Sequence, residues 1–65
     1  MNIAHMFSED FLRQMLRDLE NADYHLYYDE KLDQWETCSD ELDFYITNKS
    51  KMQVLHLTWR KIKGL

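Results

Sequence analysis

Between Leu42 and Trp59, apolar and polar side chains alternate in two runs. Leu42, Phe44 and Ile46 are interleaved with Asp43, Tyr45 and Thr47, and Leu55, Leu57 and Trp59 with His56 and Thr58. Asn48, Lys49, Ser50 and Lys51 lie between the runs. A period of two sends successive side chains to opposite faces of a strand, so the pattern predicts an antiparallel hairpin with one apolar face. The second run has a helical alternative. Ser50 to Gln53 has the form of a capping box, Met52, Leu55, Trp59 and Ile62 fall at helical spacing, and Lys61, Lys63 and Gly64 suit a helix end. Val54 and Leu57 would point away from that stripe, whereas a strand buries Leu55, Leu57 and Trp59 together and pairs naturally with 42–47. The strand is the preferred reading.

Upstream, the period is that of a helix from about Glu9 to Asn21. Phe11, Leu12, Met15, Leu16, Leu19 and Ala22 share one side, and Asp10, Arg13, Gln14, Arg17 and Glu20 take the other. Ser8 is placed to cap it, Glu9 and Asp10 meet the positive end of the dipole, and Phe7 can staple onto Leu12. The aromatic stretch from Asp23 to Tyr28 reads as a strand, 29–32 as a loop and 34–38 as a second strand. Tyr24, Leu26, Tyr28 and Trp35 would then face the helix, with His25, Tyr27, Gln34 and Glu36 on the outer face. Ser39, Asp40 and Glu41 make the next turn. The chain has no proline and a single glycine, Gly64, so wherever these turns need positive φ they must use Asn or Asp. The fold expected is α+β: one N-terminal amphipathic helix packed on an antiparallel sheet of about four strands, in a single domain over 1–65.

Composition changes this picture in two respects. At 65 residues and 45% apolar the chain is hydrophobic enough to fold, yet a domain of this size leaves about 40% of its unfolded-chain surface exposed. Small scaffolds commonly add a staple, and Cys38 has no second cysteine to pair with, so homodimerisation is the staple that remains. One cysteine suits a reducing compartment, and neither a signal peptide nor a membrane span is apparent, which points to the cytoplasm. The net charge of −4 is also unevenly spread. All twelve acids lie at or before Asp43, among only Arg13, Arg17 and Lys31, whereas Lys49, Lys51, Arg60, Lys61 and Lys63 follow with no acid. The two parts attract each other, and each can meet a partner of opposite charge.

No pattern for catalysis or for a cofactor emerges. His5, His25, His56 and Cys38 show no metal-ligand spacing, Ser8, Ser39 and Ser50 are accounted for by caps and turns, and no glycine-rich phosphate loop exists. A non-enzyme without cofactor or metal is expected. Five cations near the C-terminus are a weak footprint for direct nucleic-acid binding.

The acidic segment has the opposite potential. Between Asp23 and Asp43, eight carboxylates stand among Tyr24, Tyr27, Tyr28 and Trp35. On an extended strand, Glu41 and Asp43 would project from one face about 6.6 Å apart, and such a ladder can present something like a row of phosphates to a DNA-binding protein. Small acidic inhibitors of phages and mobile elements share this size and composition, though no motif of any such family is matched. An open sheet face would carry His25, Tyr27, Glu36, Asp43, Tyr45 and Thr47, and exposed tyrosine is typical of binding hot spots. The expectation is therefore a small acidic interaction protein that inhibits or regulates a larger protein, with a nucleic-acid enzyme as the sharper target. Tyr27, Glu36, Glu41, Asp43 and Tyr45 are its candidate contacts. The competing classes are a structural or homodimerising subunit, and a nucleic-acid binder using Arg60, Lys61 and Lys63.

Overall fold

The structure is a computed structural model that describes residues 8–65, so the expected Phe7 staple and any role of His5 lie outside the described residues. The elements follow as α1 (Glu9–Glu20), β1 (His25–Asp29), β2 (Gln34–Ser39), β3 (Phe44–Asn48) and α2 (Lys51–Lys63). The architecture is α+β, and among the described residues the sheet has three antiparallel strands in the order β1-β2-β3.

Helix α1 starts where its chemistry directs. Ser8 Oγ accepts from the Phe11 N–H at 3.1 Å, and Glu9 and Asp10 occupy the first turn. Met15 and Leu19 are buried on its inner side. Leu16, grouped with them by spacing, is instead exposed at the margin of that stripe.

The middle of the chain is the expected hairpin, with Tyr27 opposite Glu36 and Tyr28 opposite Trp35. Asp29 Oδ1 closes its turn by accepting from the N–H groups of Lys31 and Leu32 at 3.0 and 3.2 Å. At the next turn Ser39 Oγ accepts from Leu42 N–H at 3.1 Å. Both turns use an aspartate at positive φ, Asp33 at 51° and Asp43 at 54°, as a chain with one late glycine requires.

The expected fourth strand is a helix. Ser50 Oγ accepts from Gln53 N–H at 3.3 Å, and Gly64, at φ 77°, closes the other end by donating its N–H to the carbonyls of Arg60 and Lys61. Arg60, Lys61 and Lys63 stand at the negative end of the dipole. The face this helix buries is Val54, Leu55 and Thr58. Counting Thr58 as polar splits that face and makes Val54 look misplaced, which is what favoured the strand. β3 accordingly pairs with β2, with Ile46 opposite Thr37, and forms no hairpin with 55–59.

The packing order also departs from expectation. Helix α2 lies directly on β2 and β3, and α1 lies on α2. Where α2 crosses the central strand the two contacting residues are small, Thr37 and Thr58, both fully buried. Thr58 Oγ1 donates to the Val54 carbonyl at 2.6 Å and sits 2.5 Å from Thr37 Oγ1. A carbonyl only accepts, so the single Thr58 proton is committed to it, and Thr37 must be the donor of the shared bond. Apolar side chains from α1, α2 and the sheet fill the rest, with Met15, Leu19, Val54 and Leu55 at the centre. At the rim Asp18 ties the helices together, accepting from Trp59 Nε1 at 2.8 Å and lying 3.5 Å from Lys63 Nζ. The Trp59 hydrogen bond, with help from Gln14 and Lys63, holds the Asp18 carboxyl below its ordinary range. The acidic and basic parts of the chain meet at this point.

Candidate interaction face

Because both helices cover one side of the sheet, the strand register dictates what its other side presents. Across the three strands His25, Cys38 and Tyr45 form one row and Tyr27, Glu36 and Thr47 the next, and Asp29 stands opposite Gln34. Residues directly opposite share a face, with their Cβ atoms about 4.5–5.5 Å apart. Tyr27 and Tyr45 are 44% and 62% exposed on this side.

Glu36, at the middle of the central strand, is only 3% exposed, although no helix covers it. Its neighbours cover it. The Tyr45 hydroxyl donates to Oε1 at 2.5 Å and Gln34 Nε2 donates to Oε2 at 3.2 Å. These bonds, led by that of Tyr45 and joined by the Tyr27 phenol, hold the Glu36 carboxyl below its ordinary range against the opposing effect of burial. The phenols respond in the opposite sense. Tyr45 is pushed well up, chiefly by its bond to Glu36, and Tyr27 is pushed up by burial and then by Glu36.

A carboxylate so occupied is a poor general acid or base. It is a good anchor, because it fixes the Tyr45 side chain by its hydroxyl, with the Tyr27 phenol close by, while both rings stay partly exposed. Ordering a side chain in advance removes part of the entropy cost of binding, so the face is a prearranged aromatic surface.

Of the five residues singled out by sequence, Tyr27, Glu36 and Tyr45 come together here. Glu41 and Asp43 do not join them. Both precede β3, in the β2–β3 turn, and the left-handed backbone of Asp43 rules out the extended ladder expected of the pair. Glu41 instead lies beside Asp23, which shares a proton with it and repels its ionised form, pushing the Glu41 carboxyl up. Sequence reasoning missed Gln34 as a support for Glu36, and it did not place Cys38 on this face, where the structure has it half-buried between His25 and Tyr45. The alternation of β2 carries the signal for both, since 34, 36 and 38 share a face.

Among the described residues no group of three metal-ligating side chains converges, and no helix is long and apolar enough to cross a membrane. No protein-family model, curated protein or solved structure matches the chain.

Proposed function

We propose that this chain is a small acidic interaction protein, acting in the cytoplasm without a catalytic step of its own, that binds a larger protein through the open face of its sheet and thereby inhibits or regulates it. The observation that supports this reading most is the Tyr27–Glu36–Tyr45 arrangement: two exposed aromatic rings beside a covered carboxylate that holds Tyr45 by its hydroxyl, on the side of the sheet that the helices leave free. Tyrosine offers a large contact area with few rotatable bonds.

Charge favours one kind of target. Glu41 beside Asp23, with Asp40 and Asp43 in the same stretch, makes an acidic border at one end of the sheet. A partner with a basic cleft, such as a nucleic-acid enzyme, would meet aromatic contacts on the face and carboxylates at that end.

The test is capture of partners by the tagged protein, compared among variants and washed at low and high salt. A protein held by the wild type, lost with Tyr45→Ala or Tyr27→Ala and kept with Arg13→Ala on the far side of α1, is the expected result. Its release by high salt, and its weakening by Glu41→Gln with Asp43→Asn, would mark the acidic border as part of the contact. Retention that ignores both tyrosine substitutions overturns the reading.

A further inference from the structure

The sheet has two edge strands, and they are not alike. Strand β1, His25–Asp29, contains no lysine, proline or bulge, and among the described residues nothing pairs with its outer side. Lysine, proline and bulges are the features that normally keep an edge from recruiting another chain. Strand β3 has a guard, because Lys49 follows it directly and the chain then turns into α2.

Strand β1 is also complementary to itself. If a second copy pairs antiparallel with it about a two-fold axis through Tyr27, His25 stands opposite Asp29 of the second copy, and Asp29 opposite His25. On that outer face two imidazole–carboxylate pairs flank a Tyr27–Tyr27 pair. On the inner face Leu26 stands opposite Tyr28 of the second copy, and Tyr28, 43% exposed in the single chain, gains an apolar neighbour. Shifting the axis by one residue removes the match, since Tyr27 would then face Asp29, or His25 would face Tyr27. The same operation on β3, centred on Ile46, sets Tyr45 against Thr47 and Phe44 against Asn48, with no imidazole–carboxylate pair.

We infer that two copies of this chain join through their β1 edges, in the register that sets His25 opposite Asp29, to form one continuous six-stranded antiparallel sheet. The union extends the open face across both copies and doubles the aromatic surface available to a partner. It shares Tyr27 with the partner-binding reading but does not use Tyr45, so the two are told apart by variants at Tyr45 and His25.

The experiment measures the mass of the full chain in solution by light scattering and sedimentation across a concentration series. The wild type is expected at the mass of two chains. His25→Asp sets like charges opposite each other twice and is expected to weaken the dimer about tenfold or more. His25→Lys sets a cation opposite each Asp29 carboxylate and keeps the dimer, and Tyr45→Ala, which tests the partner face, leaves the mass unchanged. His25 is exposed, so circular dichroism of each variant should match the wild type. A second measurement fixes the register. In a Cys38→Ser background, Tyr27→Cys should form an intermolecular disulfide under mild oxidation, because residues directly opposite have Cα atoms about 4.5–5.5 Å apart. Tyr45→Cys in the same background should not. A single-chain mass up to millimolar concentration, a dimer indifferent to His25→Asp, or equal cross-linking at both positions overturns the proposal.

Discussion

Glu36 and Thr37 are consecutive residues of the central strand, one on each face of the sheet, and both are buried. Thr37 is buried by tertiary packing, because α2 lies on it and Thr58 takes its proton. Glu36 is buried by side chains of its own sheet: Tyr45 reaches one carboxylate oxygen from the neighbouring strand and Gln34, two residues back on the same strand, bonds to the other. The inner face thus has a hydroxyl pair inside an apolar layer, and the outer face a carboxylate under a polar and aromatic cover. The inner arrangement requires the helices to be in place. The outer one requires only the strand register, so it leaves a surface that is ordered and still open to a partner.

Emptying the inner layer should have the largest effect. Met15 is fully buried at the centre of the core, and Met15→Ala is expected to cost about 2–5 kcal/mol. A domain of this size has about 3–10 kcal/mol in all, so the variant should be largely unfolded at elevated temperature. Tyr45→Ala on the outer face removes one hydrogen bond to Glu36 and should cost only about 1 kcal/mol, well short of the loss at Met15. Chemical denaturation of both variants measures the contrast, and equal losses would mean that the outer face is as much a part of the core as the inner one.

Next in size is an asymmetry inside the threonine pair. Thr58→Val removes the acceptor that Thr37 donates to and leaves a buried hydroxyl unpaired, at about 1–3 kcal/mol. Thr37→Val leaves the Thr58 bond to the Val54 carbonyl intact and should cost less, and the double variant should be no worse than Thr58→Val. Unfolding free energies of the three variants form a double-mutant cycle. Equal single costs would reverse the assignment of donor and acceptor.

Much of this was legible in the chain. Ser8 before Glu9 and Asp10 marks the start of α1, the 24–38 hairpin follows from its aromatic alternation, and the need for Asp at left-handed positions is met at Asp33 and Asp43. What was not legible depends on contacts distant in sequence. Thr58 looks polar until a partner 21 residues upstream shares its proton, and without it α2 reads as a strand. Glu36 looks exposed on an open face until Tyr45, nine residues on, reaches it across the strands. Glu41 and Asp43 look like rungs of a ladder because alternation continues through Leu42, and the strand begins only at Phe44 because the turn needs Asp43 at positive φ.

The pH dependence of stability carries the comparison to the acidic groups. Glu36 and Asp18 are held below their ordinary 4.5 and 3.8 by hydrogen bonds, from Tyr45 first and from Trp59 first. The unfolded chain therefore binds protons that the folded chain has given up. The stability they contribute is complete above about pH 4.5 and is lost as the pH falls through their lowered values. In Glu36→Gln the acid limb of the stability curve should be flatter, as thermal melts at a series of pH values would record. An unchanged limb would mean that Tyr45 does not hold the carboxylate in solution.

The smallest effect has the opposite sign and separates the covered carboxylate from the acidic border. Glu41 is pushed above its ordinary 4.5 by Asp23, so the folded chain binds this proton more tightly than the unfolded chain does. Its contribution is therefore present below about pH 4.5 and lost as the pH rises through the raised value, which leaves two repelling carboxylates at neutral pH. Glu41→Gln should raise the melting temperature slightly at pH 7 and leave it nearly unchanged at pH 3, whereas Glu36→Gln should lower it at pH 7. If both substitutions destabilise at pH 7, Glu41 has a favourable partner there and the acidic border is part of the folded scaffold. If only Glu36→Gln does, the chain retains Glu41 beside Asp23 at a cost in stability, as expected of a carboxylate whose use lies in meeting a basic partner.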